Sequence, residues 1–204
     1  HADHVTGAGA LADRTGAQTA LSAAANVDCA DRALRDGDRV RFGAYEIEAR
    51  HTPGHTSGCV TYVVEGGSRA MAFTGDTLMI RGCGRTDFQG GDAHTLYASV
   101  HERIFTLPDD TLIYPGHDYM SNNLEFTLDR EPDNARAKSL MDDVSDQDPA
   151  DALVSTLALE KEINTFFRLQ SPSVIAALRE AFPNLPDNPD AKTVFLKLRE
   201  LRNN

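Results

Sequence analysis

The chain has 204 residues, 41% of them apolar, with 31 acidic against 20 basic side chains and a formal net charge of −11. That supplies one sizeable core, or a core with a small satellite domain. The acidic balance repels phosphate backbones and argues against nucleic acid as a partner, and no apolar run approaches the roughly 20 residues that cross a bilayer.

The chain opens on His1, inside a cluster of ligand-type residues, with no initiator Met or leading strand before it. It therefore reads as a fragment lacking its natural N-terminus. Residues 6–14 have the make-up of a short helix ended by Thr15-Gly16. Residues 18–22 read as a short strand, and the Ala- and Asp-rich residues 23–34 as irregular. Asp36-Gly37-Asp38 is a turn before a strand at Arg39–Phe42. Tyr45, Ile47 and Ala49 then alternate with Glu46, Glu48 and Arg50, the period of a half-buried strand. Residues 59–64 and 70–74 are strands around a Gly66-Gly67 turn. Residues 92–105 form a helix with Leu96, Val100 and Ile104 on one face, and residues 111–114 a last strand.

Past His117 no strand is expected. Residues 122–130, 135–144, 156–164, 172–182 and 191–202 all read as helices, with 146–151 as a linker. The change of character between Asp118 and Glu131 divides a β-rich α/β part, residues 1–120, from an all-helical part, residues 121–204. The three cysteines, Cys29, Cys59 and Cys83, are odd in number and widely spaced. They match neither a disulfide framework nor a zinc ribbon, and read as reduced thiols in a cytoplasmic setting.

Three ligand-type residues, His1, Asp3 and His4, crowd the first four positions. His55 stands in His51-Thr-Pro-Gly-His-Thr, Asp76 ends Met71-Ala-Phe-Thr-Gly-Asp, and His117 follows Tyr114-Pro-Gly. The last three fall at or just past expected strand ends, where loops hold functional groups on a rigid scaffold. Imidazole and carboxylate donors suit zinc or iron better than calcium or magnesium. A carboxylate can bridge two cations, and a water between them loses its proton near neutral pH and becomes a nucleophile. A lone histidine near a strand end is usually just a satisfied polar residue, and His51, His94 and His101 are assigned to that class. The six others are set apart by their order along the chain.

In that order, His1-Ala-Asp-His, Thr52-Pro-Gly-His-Thr, Phe73-Thr-Gly-Asp-Thr and Gly116-His-Asp-Tyr resemble the motifs of the metallo-β-lactamase superfamily, from His1 to about Tyr119. The superfamily's first motif is His-x-His-x-Asp-His, and His1 matches its second histidine. The resemblance implies an αββα sandwich with its N-terminal part missing, followed by an all-helical C-terminal domain. It implies one metal on His1, His55 and Asp76, lacking a fourth partner, and a second on Asp3, His4, Asp76 and His117. A sheet without its leading strands would expose edges and apolar surface, so the chain alone is expected to be poorly stable.

Two glutathione-linked branches compete. Residues 1–7, 80–89 and 113–119 look like persulfide dioxygenase, which implies a single Fe(II) on His1, His55 and Asp76 with open positions for dioxygen and a sulfur substrate. The helical end resembles glyoxalase II, the hydroxyacylglutathione hydrolase. The resemblance rests on Asn123-Leu-Glu-Phe, Glu131-Pro-Asp-Asn, Ser155-Thr-Leu, Glu160-Lys161 with Asn164 and Arg168, and Val194-Phe195 with Leu198-Arg199 and Arg202. In that family the helical domain binds glutathione, and basic residues of its last helix hold the glycine carboxylate. The matching positions are Arg199 and Arg202, three apart and so neighbours on the helix surface. Both branches use a basic residue matching Arg85 and a tyrosine matching Tyr119 around glutathione. The chain departs from glyoxalase II at Thr86-Asp87, where an aromatic residue is usual, and at Asp118, where Glu is favoured. Cys83 lacks a paired base and reads as a buried structural thiol.

The helical domain decides the reading. It is metal-dependent hydrolysis of a glutathione thioester by a metal-bound hydroxide, with two divalent ions, zinc, iron or manganese. Asp3 and Asp76 are its catalytic carboxylates, and Arg85, Tyr119, Arg199 and Arg202 hold the glutathione conjugate. The dioxygenase with its single Fe(II), and a degenerate metal-binding fragment without activity, are the alternatives.

Overall fold

The computed structural model describes residue 4 and residues 6–144 and 154–203. His1, Asp3 and the expected linker at 146–151 lie outside the described residues. Helix α1 (Ala8–Thr15) stops where Gly16, at φ 69°, turns left-handed and donates its N–H to the Ala12 carbonyl (2.8 Å). Strand β1 (Ala20–Ser22), a 3-10 turn (Ala23–Ala25) and β2 (Arg32–Leu34) follow. Residues 23–34 are therefore not irregular throughout: β2 pairs in parallel with β1, Ala20 opposite Arg32. Asp31 clasps this pair, accepting from Thr19 N (2.7 Å) and Thr19 Oγ1 (2.9 Å).

Next come β3 (Arg39–Phe42), β4 (Tyr45–His51), β5 (Val60–Glu65), β6 (Met71–Gly75) and a tight hairpin of β7 (Leu78–Met79) and β8 (Gly82–Cys83). Helix α2 (Ala93–Ala98), capped by Asp92 accepting from Thr95 N (2.7 Å), runs into a π-helical turn (Ser99–Ile104) closed by Phe105 N–H on the Val100 carbonyl (2.8 Å). Leu96, Val100 and Ile104 are fully buried, as their spacing implied. Strand β9 (Leu112–Pro115), α3 (Met120–Arg130), α4 (Ala135–Val144), β10 (Ser155–Thr156), α5 (Leu157–Ile163), α6 (Pro172–Ala181) and α7 (Ala191–Asn203) complete the order.

Six strands form one sheet in the order β10-β9-β6-β5-β4-β3. All neighbours are antiparallel except β6 and β9, which run in parallel with Gly75 opposite Pro115. A parallel pair needs a crossover, and α2 lies in it. Within β4 the alternation holds at Ala49, which is fully buried, but Tyr45 at the strand start is exposed and stacks on Phe42 (5.4 Å). A strand also forms past His117: β10 pairs with β9, Ser155 opposite Ile113.

The core is continuous across both halves of the chain. Val63, Ala72 and Ile113 from the sheet and the α2 stripe pack with Phe126, Leu157, Phe166, Val194, Phe195 and Leu198. Leu124, Ala137, Leu140 and Ile163 form a smaller cluster. Between helices, buried Glu131 accepts from Arg168 Nε (2.5 Å), Arg168 Nη2 (2.9 Å) and Ser171 Oγ (2.5 Å). Asn134 caps α4 through Ala137 N (3.0 Å) and donates to the Glu162 carbonyl (3.1 Å). Among the described residues no helix is long and apolar enough to cross a membrane.

Candidate metal centre

Because β6 and β9 run the same way, their C-terminal ends lie side by side. Asp76 and His117 follow those ends, and Gly116 N–H donates to the Gly75 carbonyl (3.0 Å) to lock the two exits together. His55 comes from the loop after β4. That loop turns at Gly54, whose φ of 128° excludes other residues, and a Cβ there would lie 2.3 Å from Leu96 N at the start of α2. Thr77 Oγ1 donates to the Thr52 carbonyl (2.8 Å), and Thr52 Oγ1 meets Thr61 Oγ1 (2.9 Å). Three elements distant in sequence thus meet at one place.

There the ring nitrogens converge on one carboxylate oxygen. His4 Nε2 lies 2.8 Å, His55 Nε2 3.4 Å and His117 Nε2 3.5 Å from Asp76 Oδ2. His4 and His117 bring their Nε2 atoms to 3.3 Å of each other. Asp76 and His55 are buried, while His4 is the outermost of the four. His55 Nδ1 lies 2.7 Å from the Arg85 carbonyl. A carbonyl only accepts, so Nδ1 carries the proton, and in the neutral ring the Nε2 lone pair faces the site. The site opens into a cleft of about 190 Å³ lined by His4, His55, Thr56, Cys59, Val60 and Asp76.

The donor set fits a cation. His4, Asp76 and His117 offer ligand atoms all within 4.8 Å of one another. Imidazole with carboxylate is the donor chemistry of zinc and of non-haem iron. Two glycines leave the space. A Cβ on Gly116 would stand 2.4 Å from Asp76 Oδ1 and 3.1 Å from His4 Cε1, and one on Gly84 would stand 2.0 Å from the Asp76 carbonyl and 2.9 Å from His55 Nδ1. Sequence reasoning passed over both glycines, although each sits beside a quoted ligand or motif residue.

The other expected residues divide. Tyr119 is exposed and stacks on the His117 ring (5.3 Å). Arg85 is half-exposed, donates through Nε to Asp87 Oδ1 (2.7 Å) and lies over the Phe88 ring (4.7 Å), which in turn meets His55 edge-on (5.4 Å). Arg202 is partly buried and reaches the Asn122 carbonyl (3.2 Å). Arg199, expected on the helix surface, is instead 1% exposed. Its Nη1 donates to the carbonyls of Cys83 (2.8 Å) and Gly84 (3.0 Å), backbone groups that a solvent-facing position could not reach. Cys83 is buried, and burial pushes its thiol up to about 11. His51 Nε2 bonds the Ser57 carbonyl (3.0 Å), and His101 Nε2 bonds that of Phe166 (3.0 Å).

The model of the Metallo-beta-lactamase superfamily matches residues 1–117, and the chain belongs to that superfamily. Its fold is the metallo-β-lactamase fold with a helical C-terminal region, and binding of divalent metal goes with the family. Residues 118–204 match the model described as Hydroxyacylglutathione hydrolase C-terminus. A relative named hydroxyacylglutathione hydrolase, from Polaromonas sp., is 52% identical over 206 residues, covering 100% of this chain and 78% of its own. The Homo sapiens protein named persulfide dioxygenase ETHE1, mitochondrial, is 58% identical over 120 residues, covering 58% of this chain and 46% of its own. The crystal structure of ETHE1 from Myxococcus xanthus aligns at a TM-score of 0.61 and 34% identity, over 100% of this chain and 73% of that one.

Proposed function

We propose that the chain is a metallo-hydrolase of the hydroxyacylglutathione hydrolase kind, adding water to a glutathione thioester to release a carboxylic acid and the thiol. One observation carries this reading: likeness to proteins of that name runs the whole length of the chain, helical end included. The persulfide dioxygenase of Homo sapiens matches in sequence only 120 residues of it, and the ETHE1 structure that spans the chain is 34% identical, against 52% for the Polaromonas relative.

The proposed ligands are His1, His55 and Asp76 for one cation and Asp3, His4, Asp76 and His117 for a second, with zinc, iron or manganese as the candidates. Bound there, such cations polarise a carbonyl and make water acidic enough to serve as nucleophile near neutral pH. The chain's own residues do the rest. Arg85 holds the His55 ring through its carbonyl, so that Nε2 faces the site. Asp76 brings a buried carboxylate to the floor of the cleft. Tyr119, exposed on the His117 ring, and the half-exposed Arg85 guanidinium stand at the rim, where they would bind and orient glutathione. Arg202, whose Nη2 donates to the Asn122 carbonyl in α3, would join them from α7. In this reading residues 1–120 carry the chemistry, and residues 121–204 join Arg85 and Tyr119 in contacting glutathione. A cytoplasmic setting accords with three cysteines that are all free.

Metal content measured together with turnover tests this. Two metals per chain with thioester hydrolysis is the expected result. The second reading, a persulfide dioxygenase, draws on the 58% identity at the metal-bearing end. One iron with oxygen uptake on glutathione persulfide, and no thioesterase, would establish it instead.

A further inference from the structure

The hairpin β7–β8 starts two residues after Asp76 and leads to Arg85, whose carbonyl holds His55. Its backbone is gripped from the helical half by four side chains. Asn123 Nδ2 donates to the Ile80 carbonyl (2.9 Å), and Glu160 Oε2 accepts from Arg81 N (2.6 Å). Asn164 Nδ2 donates to the Gly82 carbonyl (3.1 Å), and Arg199 Nη1 to those of Cys83 and Gly84 (2.8 and 3.0 Å). On the far side of Arg85, Asn203 Nδ2 donates to Thr86 Oγ1 (3.2 Å) and its Oδ1 accepts from Arg199 Nε (2.9 Å).

Resting on the metal-site reading above, we propose that Arg199 and Asn203 are positioning residues for His55. One turn apart on α7, they bond to each other and to residues 83, 84 and 86, and so bracket Arg85. Between those fixed points the Arg85 carbonyl has one direction to face, and it faces His55 Nδ1. The clamp thereby sets the tautomer and tilt of a candidate ligand that neither residue touches, as partners behind a metal-binding histidine do. The guanidinium is 1% exposed, with Nη1 on the two main-chain carbonyls and Nε on Asn203 Oδ1. The clamp therefore makes α7 part of the metal centre's support rather than only a wall of the substrate cleft.

The test uses the full chain, Arg199→Lys and Asn203→Ala, each stripped of metal. Long-range proton–nitrogen NMR reads the His55 tautomer, and Zn²⁺ alone, titrated against a chelating dye, reads affinity. The Nδ1–H form should lose its dominance in both variants, with Zn²⁺ affinity down about tenfold or more. On a glutathione thioester kcat should fall while KM stays within about twofold. An unchanged tautomer and Zn²⁺ affinity, with a raised KM, would overturn the proposal and make Arg199 a substrate ligand. Should Arg199→Lys fail to fold by circular dichroism, Asn203→Ala decides alone, and a wild-type tautomer there is also fatal. Neither readout requires turnover. A wild-type chain inactive on thioesters would refute the hydrolase reading and leave this one standing.

Discussion

Thr77 Oγ1 donates to the backbone carbonyl of Thr52 across 2.8 Å, with both residues fully buried, and so joins the loop that carries His55 to the turn that carries Asp76. Thr77→Val keeps the shape and removes the donor. Losing a donor to a buried carbonyl costs about 1–3 kcal/mol. Urea unfolding should register that loss together with weaker Zn²⁺ binding, and Thr77→Ser should restore both. Unaltered metal affinity in Thr77→Val would mean that the two loops are held by other contacts.

Asp76 is the carboxylate on which the three imidazoles converge, so Asp76→Ala should abolish bound metal. Gly116→Ala should do nearly the same by another route. Gly116 has no need of a left-handed backbone, so alanine is conformationally permitted there. Its methyl would nonetheless stand 2.4 Å from Asp76 Oδ1. Metal content by elemental analysis should collapse in both, with far-ultraviolet circular dichroism retained. Full metal loading of Gly116→Ala would show that the strand exits have room to spread.

Burial raises the Cys83 thiol from 9.0 to about 11. A folded thiol that holds its proton longer than the unfolded one makes stability fall as pH climbs through that interval. Iodoacetamide at pH 8 should alkylate exposed Cys29 and spare Cys83. Labelling of Cys83 in the native protein at that pH, read by peptide mass, would contradict its burial.

Glu131, 2% exposed, is the acceptor for Arg168 and Ser171. Glu131→Ala leaves the Arg168 guanidinium, 33% exposed, and the Ser171 hydroxyl without their acceptor, which costs about 1–3 kcal/mol. Denaturant titration should show a loss of that order, with KM on a thioester unchanged in the folded fraction. A stable variant with raised KM would move Glu131 from the packing of the helices to the substrate.

Periodicity and motif order made much of this legible. Leu96, Val100 and Ile104 recur every fourth residue, and a helix turns that spacing into one buried stripe. His4, His55, Asp76 and His117 could be read as one site because their motifs, in that order, resemble those of the metallo-β-lactamase superfamily. What stayed hidden depends on partners far along the chain. β2 and β10 are strands only because β1 and β9 lie beside them. Arg199 next to Leu198 reads as the polar edge of an apolar helix, since nothing local reveals two carbonyls waiting at residues 83 and 84. Gly84 and Gly116 are needed for what they lack, and a missing Cβ has no pattern.

The two ends of the main sheet bear on how copies of this chain behave at high concentration. At β3, Arg39 and Arg41 are laced across to Glu46 and Glu48 by bonds of 2.5–2.9 Å. A foreign strand docking there would have to desolvate a lattice of charges. At the opposite end β10 offers two residues before the chain coils into α5, too short a template for a neighbour to copy. Among the described residues neither border of this sheet offers a long uncharged edge, which disfavours growth of ordered aggregates by strand addition.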